Sequence, residues 1–140
     1  MPRITNISQM WTLLNVFTYD TVGNERPVNH LNEWGGFSRV LKMPVFTAWR
    51  DATTYDQVAK TTSAVVSDSN WGSKVGTNNQ ERWVDYALQH AGEAAFFIIH
   101  AVDDEAEVRK IAAIDAERVI VGRIRRDGTR SIVTGQPRSI

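Results

Sequence analysis

Arginine residues cluster near the C-terminus, on both sides of a predicted turn at Asp127 and Gly128. An Asp-Gly pair between runs rich in Val, Ile and Thr is the preferred centre of a two-residue type I′ hairpin turn. This turn predicts that Arg125 lies opposite Arg130, and that Arg123 shares their face because side chains alternate along a strand. Guanidinium groups gathered in this way favour an anionic group between them, such as a phosphate or a carboxylate.

The distribution of charge along the chain agrees with a basic C-terminal surface. The sequence has sixteen basic and sixteen acidic residues and therefore no net charge. From Arg109 onwards, however, eight basic residues stand against three acidic ones, whereas residues 80–108 carry seven acidic residues and one arginine. Three interpretations are open for the hairpin arginines: solvation or pairing with the acidic segment, binding of nucleic acid or another polyanion, and assembly of a homo-oligomer through opposite faces.

Two of the five tryptophans, Trp34 and Trp71, fall in polar segments rich in Gly and Asn. Aromatic side chains next to arginines hold the bases of single-stranded nucleic acid by stacking. We therefore include Trp34 and Trp71 among the predicted ligand-binding residues. The alternative is that each of them anchors its loop to the core, as we expect for the other three tryptophans on their apolar faces.

Two histidines are candidates for a ligand or proton-transfer role. His30 lies in a predicted loop close to Glu33, and His100 lies inside the apolar run that ends at Val102. An imidazole beside a carboxylate titrates near neutral pH and suits general acid–base chemistry. This supports a second hypothesis, a small hydrolase-type enzyme, whereas the structural alternative is a histidine with satisfied hydrogen bonds.

Several kinds of chemistry are absent from the sequence. It contains no cysteine, which excludes disulfides, thiolate nucleophiles and zinc sites of the cysteine type. It also lacks a glycine-rich phosphate loop, a serine elbow and paired histidines on a helix. We therefore predict a non-enzymatic binding module with no catalytic residues, no cofactor and no metal. No signal peptide or membrane-spanning stretch is found, so we expect a soluble cytoplasmic protein with no membrane partner.

The element that organises the predicted fold is the apolar run at 94–102, which is typical of a strand buried on both faces. The sequence predicts an α+β fold in one globular domain, 1–140, with a mostly antiparallel sheet or small open barrel around this strand. Packed helices are predicted at 79–91 and 103–114, and a hairpin at 118–134. Asn78 or Asn79 is expected to cap the start of the first of these helices, and Gly92 is expected to cap its end. The helical spacing of Ile7, Met10, Trp11 and Leu14 predicts a short helix at 7–14. Further expected elements are a strand at 44–50, a short helix at 51–60 and loops at 20–36 and 61–76.

Overall fold

The computed structural model describes residues 7–20, 22–28, 34–70, 74–105, 111–115 and 118–139. The chain has a mixed α+β fold with a C-terminal hairpin, as the sequence predicts. The described helices are α1 (Ile7–Leu13) and α2 (Lys74–Gln89), with a short 3-10 helix at Arg50–Ala52. The described strands are β1 (Val16–Tyr19), β2 (Glu25–Pro27), β3 (Gly35–Ser38), β4 (Met43–Trp49), β5 (Thr53–Asp56), β6 (Thr61–Asp68), β7 (Glu93–Ala101), β8 (Ile111–Ile114), β9 (Arg118–Asp127) and β10 (Arg130–Ser139).

The strands form an open sheet in the order β2-β1-β3-β4-β7-β9-β10-β6-β5, with β8 paired to β7 outside this path. Strand β7 lies at the middle of the order, where the sequence predicts the buried strand. Its residues Ala94, Ala95, Phe96 and Phe97 are fully buried. The parallel partner β4 is on one side of β7, and the antiparallel partner β9 is on the other. Every other described strand pair is antiparallel.

Each helix packs on a different face of the sheet. Trp11 of α1 belongs to the same buried cluster as Phe97, whereas Trp83 of α2 belongs to the cluster that contains Phe96. Successive side chains of β7 therefore enter opposite cores, since side chains alternate along a strand. Burying one large apolar side chain contributes about 1.5 to 3 kcal/mol, so the two clusters fix the sheet between the helices.

Helix α2 ends near its predicted position but begins earlier. Gly92 has a φ of 70°, and its N–H donates to the carbonyl oxygen of Ala87 at 2.8 Å, the arrangement of a glycine C-cap. The predicted start at 79 is wrong, because the helix begins at Lys74. Asn79, expected as a capping residue, is instead a buried residue whose amide donates to the carbonyl oxygen of Gly35 at 2.7 Å.

Two predicted helices and both predicted loops contain strands in the structure. Within the predicted loop 20–36, Glu25–Pro27 forms β2 and Gly35 begins β3. Residues 111–114 of the predicted helix 103–114 form β8, paired with β7, and residues 106–110 lie outside the described part of the chain. Within the predicted helix 51–60, Thr53–Asp56 forms β5. Within the predicted loop 61–76, Thr61–Asp68 forms β6, which pairs with β10. Pairing with an existing strand satisfies backbone groups and outweighs a weak local helix pattern.

The hairpin is present and extends beyond its predicted end at 134, but its turn is displaced by one residue. Asp127 pairs with Arg130, so the two turn residues are Gly128 and Thr129. Of these two, only Gly128 has a positive φ, 62°, which fits a type II′ turn with glycine first. The predicted opposition of Arg125 and Arg130 is therefore wrong. The observed register places a carboxylate opposite Arg130 and avoids the repulsion of two arginines.

Candidate functional site

The hairpin has two faces, which its register defines. We call the outer face the one that carries Arg123, Arg125 and Asp127 on β9 and Arg130, Ile132, Thr134, Gln136 and Arg138 on β10. The inner face carries Ile124 and Val133, which belong to the core cluster that includes Trp83 of α2, together with Arg126 and Ser131. Each β9 residue pairs with a β10 residue that is two positions further along than predicted. Because side chains alternate, a shift of two positions keeps every side chain on its predicted face. The three predicted arginines therefore share the outer face.

These outer-face arginines are exposed and have different environments. Arg123 donates from Nη1 to the carbonyl oxygen of Ala91 at 2.9 Å, just beyond the C-terminus of α2. Arg125 Nη1 lies 4.0 Å from Asp127 Oδ2, and both of these side chains are about 60% exposed, at 61% and 60%. Within the described residues, the guanidinium group of Arg130 has no hydrogen bond or ion pair. Two of the three guanidinium groups are therefore available to a ligand at the surface.

Carboxylates interrupt the positive surface of the outer face. Glu93 on β7 is the register partner of Arg123. Asp127 on β9 and Asp68 on β6 flank Arg130 from both sides. The outer face is therefore a mixed-charge surface and not a continuous basic one. Of these neighbours, Asp127 forms an ion pair with Arg125, and exposed ion pairs contribute only about 0 to 1 kcal/mol.

Arg126 on the inner face has a different role, because its side chain joins the hairpin to α2. Its Nη1 lies 3.0 Å from Glu81 Oε2 and its Nη2 lies 2.6 Å from Asp85 Oδ1. Arg126 Nη1 also donates to Ser131 Oγ at 3.2 Å, and Ser67 Oγ donates to Glu81 Oε1 at 2.8 Å. Burial lowers the pKa of Arg126, but the hydrogen bonds and charges of Asp85 and Glu81 outweigh it, so the pKa lies above its ordinary value. We call this group the inner clamp.

A pair of glycines holds the two hairpin strands close together. Gly122 on β9 is directly opposite Gly135 on β10. A Cβ built on Gly122 would overlap the carbonyl oxygen of Thr134, and one built on Gly135 would overlap the carbonyl oxygen of Val121. Only glycine fits at this approach. The pair lies next to Arg123 and thus positions the first arginine of the outer face.

The structure does not bring Trp34 to the outer face. Trp34 is half-buried and packs against the core beneath α1, with its ring centroid 6.5 Å from that of Trp49. It directly precedes β3, and β4 and β7 lie between β3 and β9 in the sheet order. Trp71 and His30 lie outside the described residues, so their ligand-binding roles stay predictions.

His100 lies near the end of β7 and forms a pair with Asp115. Its Nε2 is 2.9 Å from Asp115 Oδ1, and the two side chains are 36% and 54% exposed. Asp115 follows β8, and its N–H donates to the carbonyl oxygen of Ile98 at 2.9 Å. A carboxylate in this position orients an imidazole and favours one tautomer. The sequence gives no signal for this contact, because it depends on residues 111–114 being a strand beside β7.

Arg138 is a further outer-face residue that the sequence prediction missed. The predicted hairpin ended at 134, whereas β10 continues to Ser139. Arg138 pairs with Val119 in the register and is exposed. Side chains on one face of a strand recur at every second residue, so Arg138, eight residues after Arg130, would have been predicted on the same face had the strand been extended.

Comparisons with known proteins do not identify the chain. No protein-family description matches the sequence, and neither a curated protein nor a solved structure matches it. Within the described ranges, no group of three or more His, Asp or Glu side chains is arranged to hold a metal ion. In the same part of the chain, no helix is long and apolar enough to cross a membrane. The fold therefore defines the class, a sheet-rich α+β protein.

Proposed function

We propose that the protein is a non-enzymatic binding module for single-stranded nucleic acid, and that the outer face of the hairpin is its binding surface. The observation that supports this proposal is the projection of Arg123, Arg125 and Arg130 from one exposed face of a two-stranded element. Guanidinium groups bind phosphate oxygens with two parallel hydrogen bonds, and they stay charged at every physiological pH.

The spacing of the arginines suits a flexible phosphate backbone. Arg123 and Arg125 are two residues apart on β9, which corresponds to about 7 Å along the strand. Arg130 lies on the neighbouring strand, about 4.8 Å away in the hydrogen-bonding direction. Thr134 and Gln136 share the outer face and add neutral hydrogen-bonding groups, and Arg138 extends the row of positive charge. A single strand can bend to meet groups placed on two strands, whereas a rigid duplex cannot follow them as closely.

The direct test is the affinity for a fluorescently labelled oligonucleotide of about fifteen nucleotides, the upper range of a single binding site. We expect the variant Arg123→Gln/Arg125→Gln/Arg130→Gln to bind at least tenfold more weakly than the wild type in an anisotropy titration. The matched control is Lys42→Gln/Arg50→Gln/Lys60→Gln, which removes the same charge from exposed positions away from the outer face. Equal affinities of the two triple variants would overturn the proposal.

Two other occupants of the outer face are distinguished by two further measurements. A sulfated polysaccharide that competes with the oligonucleotide at equal charge concentration would show that any polyanion is bound. A homodimer formed between the outer face and the acidic part of a second copy would dissociate as salt rises, since salt screens exposed charges. Sedimentation of the wild type at low and high salt measures this directly.

The contact between His100 and Asp115 favours a second candidate function, a hydrolase-type enzyme. In that reaction, His100 would take a proton from a water molecule that attacks an ester carbonyl, and would then return the proton to the departing alkoxide. Asp115 would hold the imidazole in place. The expected result is that His100→Gln abolishes hydrolysis of a simple activated ester and Asp115→Asn reduces it. Hydrolysis at the same rate by the wild type and by His100→Gln would exclude this function.

A further inference from the structure

We propose that β5 is a self-association strand, and that the β5 strand of a second copy of the chain pairs with it in antiparallel orientation. The inference goes beyond the proposed function, because this surface does not include the hairpin arginines. Strands β2 and β5 stand at the two ends of the strand order. The side of an end strand that faces away from its sheet presents backbone groups that can join another strand. We call the side of β5 that faces away from β6 the β5 edge.

The two ends of the sheet differ in how they limit the addition of a strand. Strand β2 has three residues, Glu25–Pro27, and Pro27 carries no N–H to donate. Proline and charged residues on an end strand oppose pairing with another chain. Strand β5, Thr53–Asp56, contains no proline, and three of its four residues are Thr or Tyr, which are types favoured in strands. The end of the sheet at β5 is therefore the one that suits an added strand.

The backbone of β5 offers a donor and an acceptor to the second copy at Tyr55. The N–H of Thr53 donates to the carbonyl oxygen of Arg50, and therefore does not bond to β6. Backbone groups of successive residues in an antiparallel pair point alternately toward and away from the partner strand. The N–H and C=O of Tyr55, two residues after Thr53, consequently point away from β6 and toward the β5 edge.

These backbone groups define a symmetric register for the pair. Two Tyr55 residues that face each other exchange two N–H···O=C bonds, as in the hydrogen-bonded pair of an antiparallel ladder. The same register places Thr54 opposite Asp56 of the second copy, where a hydroxyl can donate to a carboxylate. Tyr55 is 59% exposed, and this register sets its ring beside that of the second copy, a favourable cross-strand pair.

The charges at the two ends of β5 favour a second copy as the partner. Antiparallel pairing brings the start of one β5 strand to the end of the other. Arg50, whose Nη1 donates to Thr53 Oγ1 at 3.0 Å, lies at the start, and the exposed Asp56 lies at the end. Each end of the interface therefore combines a cation from one copy with a carboxylate from the other. Val58 follows Asp56 in the turn and is 96% exposed, so the partner also covers an apolar side chain there.

Sedimentation equilibrium tests the self-association. Two short strands bury less than about 1,200 Å², as weak complexes do, so we expect a Kd of about 100 µM and measure up to about 500 µM. Tyr55→Lys places a charge at the centre of the β5 edge and should raise the Kd at least about tenfold. The matched control is Val40→Lys, at a valine that is 55% exposed after β3, which should leave the Kd unchanged. A monomeric wild type, or equal Kd values for wild type and Tyr55→Lys, would overturn the proposal.

A cysteine cross-link tests the register. The sequence contains no cysteine, so Tyr55→Cys introduces a single thiol in each copy. Facing Cα atoms of a hydrogen-bonded pair are about 5.5 Å apart, which is within the range that a disulfide spans. Air oxidation with a copper–phenanthroline catalyst should therefore convert Tyr55→Cys to a covalent dimer, whereas Val40→Cys should stay monomeric on a denaturing gel. Equal cross-linking of the two variants would contradict the pairing at Tyr55.

The hairpin variant separates this interface from a dimer formed through the outer face. Arg123→Gln/Arg125→Gln/Arg130→Gln should keep the sedimentation Kd of the wild type, whatever its effect on oligonucleotide binding. A monomeric hairpin variant would assign the self-association to the outer face and overturn the proposal.

Discussion

Arg125 and Arg126 are neighbours in the sequence but belong to different parts of the protein. Arg126 points to the inner face, where Glu81 and Asp85 hold it. Arg125 points to the outer face, where it is 61% exposed and its ion pair with Asp127 is long, at 4.0 Å. The comparison shows that strand alternation, and not the density of arginines in the sequence, separates a structural cation from one that is available to a ligand.

The largest effect is expected from Gly122→Ala, because both faces depend on the close approach of β9 and β10. A methyl group at this position overlaps the carbonyl oxygen of Thr134, and relieving such an overlap costs about 3 kcal/mol. Urea denaturation measures the loss in free energy of unfolding. The matched control is Gly128→Ala, which meets nothing within 4 Å but has a positive φ and should cost about 1 kcal/mol. Equal losses in the two variants would contradict the close approach of the strands.

The next largest effect is expected from Arg126→Met, which removes the charge of the inner clamp and keeps much of the side-chain volume. It leaves Glu81, whose side chain is 22% exposed, without its cation. We expect a loss of about 1.5 kcal/mol in the free energy of unfolding, since an unpaired, partly buried charge costs about 1 to 3 kcal/mol. The matched control is Arg125→Met, which should change stability by less than about 0.5 kcal/mol. A larger loss in Arg125→Met than in Arg126→Met would reverse the two assignments.

The inner clamp should also be insensitive to pH over a wide range. Burial lowers the pKa of Arg126, but Asp85 and Glu81 raise it by more than burial lowers it. The pKa of Arg126 in the folded protein therefore exceeds that in the unfolded chain. A raised pKa gives a stabilisation that is complete below the unfolded pKa and is lost only as pH rises through the folded value. The stability difference between wild type and Arg126→Met should therefore stay constant from about pH 7 to about pH 10. A difference that falls within this range in urea titrations would contradict the assignment.

Sequence patterns predicted those helices, turns and strand faces that are determined by residues close together in the chain. The spacing of Ile7, Met10 and Trp11 predicted α1, and all three side chains are buried. Gly92 marked the end of α2 because a positive φ favours glycine. Side-chain alternation correctly placed the outer-face arginines on one face even though the turn moved by one residue. That move shifts the strand pairing by two positions, and a shift of two leaves each side chain on the same face.

Contacts between distant segments could not be predicted in this way. Strand β8 exists because β7 offers it a partner, and its short apolar sequence fits a helix equally well. The side chain of Asn79 is fixed by Gly35 and Thr18, which are far away in the sequence. The contact of Asp115 with His100 likewise depends on which strands become neighbours.

The salt dependence of oligonucleotide binding reports how many phosphates the hairpin neutralises. Each phosphate neutralised on a single strand contributes about 0.7 to the slope of log affinity against log salt. We expect Arg123→Gln/Arg125→Gln/Arg130→Gln to lower this slope by about two units, whereas Arg126→Met should leave it unchanged. An unchanged slope in the outer-face variant, or an equal decrease in Arg126→Met, would contradict the division of the hairpin into a binding face and a structural face.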